Sequence, residues 1–242
     1  MHTTATGLGA TSQVAEKRMR QWAQGLETQR RLDEVSNSPV DVWKRIHPFV
    51  AISREEGAGG AELAKRVCER LDWQHMDREL LIYMAEAQHV PKAVLDAVDE
   101  KTSNWLLETL GKWLNHHVVT QQEYVVHLGE IVLLAVQHQP SVFVGRGAQF
   151  LLPRGRGLSV QLVAPMEMRL AEIERRHGLA RAAAERHLAE SDEGRHHFID
   201  QYFHRDVRDP HHYDLVINRE FVDLDTATDL ICDLVARRFP SP

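Results

Sequence analysis

The chain has 242 residues, 43% of them hydrophobic and 26% charged, with 14 Gly, 9 Pro and 2 Cys. That composition excludes a disordered chain, a collagen-like repeat and a disulfide-stapled miniprotein, and the length suffices for one large domain or a domain with an appendage. Twenty-nine Lys and Arg against 35 Asp and Glu give a formal charge of -6, so a nucleic-acid partner is not expected, although one cleft can still be basic when the whole is acidic.

No apolar run approaches the roughly 20 residues of a membrane helix. The start, MHTTATGLGATSQVAEKRMR, is polar and lacks a signal-peptide core. Cys68 and Cys232 form no CxxC, which agrees with two reduced core thiols and a cytoplasmic setting. Histidine is the unusual count, at 15.

Residues 1–46 read as a helical extension and linker. Ala15, Met19, Trp22 and Leu26 recur at helical spacing among charges, and Ser36-Asn37-Ser38-Pro39 ends the pattern. Such a helix either covers a hydrophobic edge or serves as the arm of a homodimer. From residue 47 short apolar runs alternate with helical segments. Strands are expected at Phe49–Ile52, around Trp73–Met76, at Val142–Val144, Leu158–Val163 and Asp214–Ile217. Their nearly continuous apolar character suits a parallel sheet covered on both faces, hence an α/β fold. Leu63, Val67 and Leu71 mark a helix after Gly60. Ala227, Leu230, Ile231, Leu234 and Val235 mark the last helix, with Asp223 as its N-cap. About 78–139 shows only helical pattern. Trp105 to Val118 forms one stripe, and Val125, Leu128, Ile131, Val132 and Ala135 form another. That is too long for a simple crossover and reads as an inserted helical subdomain.

The chemistry-bearing segment is Ser53-Arg54-Glu55-Glu56-Gly57-Ala58-Gly59-Gly60-Ala61-Glu62, where a strand runs through a glycine-rich turn into a helix. Converging backbone N–H groups and the helix dipole suit phosphate. A plain tight strand-to-helix turn is the alternative. The Walker pattern GxxxxGK[ST] is absent. Gly60 stands where its lysine would follow the glycine, and Glu62 offers a carboxylate in place of the Mg²⁺-holding Ser/Thr. Arg54 either replaces part of the missing lysine's charge or pairs with Glu55, Glu56 or Glu62.

Five segments in order resemble the cytidylate kinase-like family, a branch of the P-loop nucleoside monophosphate kinases. Ser53 to Ala64 is similar to its SRExGSGGxEIA opening. Leu71 to Leu81 resembles the short strand ending at an Asp, here Asp77. Val142-Phe-Val-Gly145-Arg146-Gly147-Ala148 is similar to VxVGRGA. Val160 to Pro165, followed by Arg169, resembles the fourth strand and the start of the lid. Asp209-Pro-His-His-Tyr213-Asp214-Leu-Val-Ile-Asn218 is similar to DPxxYDLVxN. Ala61 departs from the family, which usually has Arg there.

The resemblance implies a three-layer P-loop kinase core with a five-stranded parallel sheet, a helical NMP-binding insert at about 78–139 and a lid at about 166–208. It implies ATP and Mg²⁺, with donor binding by Arg54, Gly57, Ala58, Gly59, Gly60, Ala61 and Glu62. Asp77, Gly145 and Arg146 fall to the acceptor side, and Arg146 also to catalysis. Among the lid arginines Arg175, Arg176, Arg195, Arg205 and Arg208, the catalytic candidates are Arg195 and Arg205. Glu62 and Asp77 are the candidate metal ligands.

The expected activity is ATP-dependent phosphoryl transfer to a pyrimidine nucleoside monophosphate such as CMP or dCMP. The alternatives are a catalytically impaired nucleotide-binding regulator and a kinase for a non-nucleotide acceptor. His187, His196, His197, His204, His211 and His212 gather in the lid region, so nucleotide affinity is expected to respond to pH. His196, Asp200 and His204 share a helix face, but two turns separate the histidines, too far for one metal ion.

Overall fold

The computed structural model describes residues 13–22, 24–25, 46–85 and 119–240. The chain divides into two compact units, one of residues 1–47 and 77–140 and the other of residues 48–76 and 141–242.

The second unit is built on a five-stranded sheet. Its strands are β1 (Phe49–Arg54), β2 (Gln74–Met76), β3 (Ser141–Val144), β4 (Gly157–Val163) and β5 (Leu215–Asn218), in spatial order β2-β3-β1-β4-β5. Every pairing is parallel, and Ala51 in the central strand lies between Phe143 and Ser159. Phe49 to Ser53 and Ser141 to Val144 are buried without a break. Continuous burial on two faces is what an unalternating apolar run encodes. All five strands expected from the sequence are present.

In chain order the helices are α1 (residues 13–22), α2 (Gly60–Leu71), α3 (Arg78–Ala85), α4 (Val119–His138), α5 (Ala148–Leu151), α6 (Met166–His177), α7 (Arg181–Phe203) and α8 (Leu224–Arg238). Helix α2 buries Leu63, Ala64, Val67 and Cys68, and α8 buries Ala227, Ile231, Cys232 and Val235, against Val50, Ile52, Val160 and Leu162 of the sheet. Asp223 caps α8, its carboxylate accepting the Thr226 N–H at 2.7 Å, as the sequence predicts. Both cysteines are buried free thiols. The expected lid region, 166–208, is two helices. Gly178 in the left-handed region ends α6, and α7 packs back through Leu170, Ile173, Ala184 and Leu188.

In the other unit, α1 has its apolar stripe covered: Ala15, Met19 and Trp22 are at most 1% exposed. Helix α4 buries the expected Val125, Leu128, Ile131, Val132 and Ala135, together with Leu133, Leu134 and Val136. Its C-terminal half is thus enclosed rather than one-sided. Leu26, the Ser36–Pro39 break and the Trp105–Val118 stripe lie outside the described residues. Among the described residues no helix is long and apolar enough to cross a membrane.

Candidate active site

The site starts where β1 ends. The Glu55 N–H donates to Leu162 O at 3.0 Å, and the Ala58 N–H returns to Glu55 O at 3.2 Å, closing the turn. Gly57 and Gly59 take φ of 82° and 88°, a region that L side chains rarely adopt. A Cβ on Gly57 would also lie 2.7 Å from the Arg169 carbonyl oxygen. Gly59 is the left-handed N-cap of α2, with no side-chain cap. The first backbone N–H groups of a helix have no partner within it, and the dipole there favours anions.

Two further features adjoin this turn. A Cβ on Gly60 would lie 2.6 Å from Arg54 Cγ and 2.9 Å from Arg54 Cβ, so the Arg54 stem runs across the start of α2. A Cβ on Gly145 would lie 2.5 Å from Arg54 Nη1, so the guanidinium reaches the turn after β3. That turn is left-handed over three successive residues, Gly145, Arg146 and Gly147, at φ 74°, 53° and 69°. The Gly145 N–H donates to Ile52 O at 3.0 Å, tying the turn to β1. The Arg146 guanidinium lies 4.9 Å from the centre of the Phe198 ring on α7. The Tyr202 phenol is pushed up, mainly by burial, with the Arg146 charge pulling the other way.

A buried charge network joins the glycine turn to α6 and α7. Arg169, 4% exposed, donates from Nε to Glu56 O at 2.7 Å and from Nη2 to Asp192 Oδ2 at 2.6 Å. Its Nη1 lies 3.8 Å from Glu55, whose carboxylate also accepts the Ala164 N–H at 3.0 Å. Arg176 pairs with Glu56 at 2.8 Å. The other oxygen of Asp192 accepts Arg195 Nη2 at 2.6 Å. Burial lowers the Arg195 guanidinium from its ordinary value, and the Asp192 charge opposes that shift. Asp192 thus holds Arg195, a catalytic candidate, on an arginine that is itself fixed to the glycine turn.

Asp192 escaped the sequence reading. Its i, i+3 spacing to Arg195 was the available signal. The sequence offers Glu55 and Glu56 as partners for Arg54, and the structure also engages them with Arg169 and Arg176.

The other candidates are placed differently. Glu62 is engaged by Arg66 at 2.9 Å on the outer face of α2. Ala61, directly after Gly60, takes the Walker hydroxyl position and is exposed, so Glu62 stands one residue beyond it. Asp77 belongs to the other unit, where it accepts the Leu80 N–H at 2.8 Å and opens α3. Among the described residues, no group of three or more His, Cys, Asp or Glu is arranged to hold a metal.

Of the remaining lid arginines, Arg175 pairs with Glu172 and Arg208 with Asp206, both on the surface. Arg205 is exposed beyond the end of α7. His177 and His187 have ring centroids 5.2 Å apart, and His212 packs edge-on to Phe150 at 5.3 Å.

The segment Asp209 to Asn218 is architectural. Asp209 accepts the His211 N–H at 2.9 Å, which leads the causes holding its carboxyl below the usual range. The Tyr213 hydroxyl donates to Val207 O at 2.7 Å, and Gln161 donates to the same carbonyl at 3.0 Å. Asp214 accepts the Ser159 N–H and returns its own N–H to Ser159 O, each at 2.8 Å, pinning β5 to β4.

A parallel sheet ordered 2-3-1-4-5, with a glycine turn opening the helix after its central strand, defines the class: a P-loop kinase-like α/β protein. The chain belongs to the cytidylate kinase-like family, whose model matches residues 49–220. Phosphoryl transfer is therefore the general chemistry that this fold and family support. Among solved structures, an uncharacterized protein from Eubacterium ventriosum ATCC 27560 is 22% identical, covering 78% of this chain and 98% of its own, at a TM-score of 0.56. A shikimate kinase from Acinetobacter baumannii is 16% identical over 81% of this chain and 96% of its own, at 0.45. The first likeness is close enough to show the shared fold. No curated protein matches the chain.

Proposed function

We propose that this protein transfers the γ-phosphoryl group of ATP to a pyrimidine nucleoside monophosphate such as CMP or dCMP. The observation that carries the reading is the pair of left-handed glycine turns, Gly57–Gly59 after β1 and Gly145–Gly147 after β3, at the carboxyl ends of neighbouring strands. Open α/β sheets bind ligands at that edge. Phosphoryl transfer demands positioning and charge neutralisation rather than covalent chemistry from the protein.

The turn at Gly57–Gly60 supplies backbone donors for the donor phosphates, with Ala58, Ala61 and Glu62 as its neighbours. Arg146 supplies a planar cation able to bind two phosphate oxygens at once. Arg195, held by Asp192, supplies a second cation from the lid, and Arg205 a third from beyond α7. Asp77 is assigned to the acceptor, and Mg²⁺ would accompany ATP through its phosphates and water.

The test is product formation from ATP and Mg²⁺ across a panel of nucleoside monophosphates, beside ATP-binding calorimetry. ADP and a nucleoside diphosphate should form, fastest with CMP or dCMP. Binding without transfer to any acceptor overturns the kinase reading in favour of a nucleotide-binding regulator. Transfer confined to a non-nucleotide hydroxyl overturns the acceptor alone.

A further inference from the structure

We infer that Arg54 is the phosphate-binding cation of this site, delivered from the strand side into the place that a helix-borne lysine occupies in a Walker loop, and that Gly60 is glycine because Arg54 fills that place. The inference rests on the reading of the glycine turn as a donor-phosphate site, and it names the residue that completes it.

Three facts converge. Gly60 is the first residue of α2 and follows the left-handed cap Gly59, so it holds the position from which a Walker lysine would reach the phosphates. Any side chain there is blocked. A Cβ would meet Arg54 Cγ at 2.6 Å, Cβ at 2.9 Å and Cδ at 3.2 Å, and these are atoms of the stem rather than a yielding tip. The Arg54 guanidinium then ends beside Gly145, between the turns after β1 and β3, with Nη1 2.5 Å from where a Gly145 Cβ would sit. A Gly145 side chain would have to displace that tip, and the φ of 74° there disfavours one in any case. Gly60 thus makes way for the arginine stem, whose tip reaches Gly145.

Glu55 accepts the Ala164 N–H and lies 3.8 Å from Arg169, Glu56 pairs with Arg176, and Glu62 pairs with Arg66. The course of the Arg54 side chain over Gly60 to Gly145 brings a positive charge to these turns without a helix-borne lysine. Its planar donors span two phosphate oxygens, where a lysine offers a point charge.

The experiment is a residue swap in the full chain, read by calorimetry with inorganic tripolyphosphate and by kcat/KM with ATP. Arg54→Met keeps the apolar stem over Gly60 and removes the cation. It should weaken tripolyphosphate binding at least tenfold and lower kcat/KM by about 10²–10³, the usual effect of removing one preorganised donor. Gly60→Lys should be equally impaired, because its side chain meets the Arg54 stem.

Arg54→Ala with Gly60→Lys empties the slot and refills it from the helix. This double variant should regain at least tenfold over Arg54→Ala alone, a coupling that a purely structural arginine would not produce. Circular dichroism melting of each variant identifies any loss that is merely unfolding. Undiminished binding by Arg54→Met overturns the inference and leaves the site reading intact, as does a folded double variant no better than Arg54→Ala. Absence of tripolyphosphate binding by the unmodified protein overturns both.

Discussion

Arg146 holds a backbone conformation that most residues avoid, between two glycines that adopt it freely. Such strain persists where the surroundings over-determine it, and here Phe198 fixes the guanidinium that the turn projects. Function and stability should therefore separate at this position. Arg146→Gly removes strain of about 1 kcal/mol but adds a comparable chain-entropy cost and loses the Phe198 contact, so its melting temperature should move only a little, while kcat/KM falls by about 10²–10³. Parallel loss of both would sink the assignment of Arg146 to phosphate. His212 gives a titration at the same scale. Burial against Phe150 lowers its imidazole from the ordinary 6.5, and Asp209 opposes the shift while Arg205, Arg154 and His211 assist it. A depressed folded value means that the neutral ring favours the fold. Its contribution is complete above pH 6.5 and declines as pH falls below it. Melting temperature should drop across that interval, and His212→Phe should flatten the drop; an unchanged slope would place the acid sensitivity elsewhere.

At the scale of elements, the two lid helices are tethered at both ends. The entrance is held by Arg169 on Glu56 O, and the exit by the Val207 carbonyl, which accepts both Tyr213 and Gln161. Tyr213→Phe leaves the ring in place but removes one of two donors from that carbonyl, together with the oxygen that Ser53 and Gln149 face. It should cost about 0.5–1.5 kcal/mol, a fall of roughly 1–6 °C in melting temperature for a chain of this size. A fall well beyond that would mean that the Ser53 and Gln149 contacts hold this junction more than the Val207 carbonyl does. The strands were legible in the sequence because burial on two faces writes itself as Phe49-Val-Ala-Ile or Val142-Phe-Val, whatever the partner. The turn after β1 was legible for a related reason, since its glycines are forced by local geometry. The clamp was not. Arg169, Glu55, Glu56 and Asp192 lie on three separate segments, and their pairing depends on where α6 and α7 fold back. Likewise Gly60 read only as a missing lysine. Its explanation is a contact with Arg54 six residues earlier, which no local pattern encodes.

At the scale of the whole molecule, the residues proposed for donor phosphate all belong to the unit of residues 48–76 and 141–242, while α1, α3 and α4 belong to the other. A ligand stabilises what it contacts, by RT ln(1 + [L]/Kd), or about 2.7 kcal/mol at a hundredfold excess over Kd. Tripolyphosphate carries no acceptor group, so its effect on local opening should be uneven. Amides that exchange through local rather than global unfolding should gain protection at 54–61, at 145–148 and along α6 and α7, where Arg169 and Asp192 transmit the order of the turn. The amides of α4 should keep their unliganded rates. Asp192→Asn should uncouple the response, because it weakens the bridge between Arg169 and Arg195. Protection should then remain at 54–61 and vanish from the middle of α7. If α7 responds as strongly in that variant as in the unmodified protein, the lid senses phosphate directly, and the buried network is scaffolding alone.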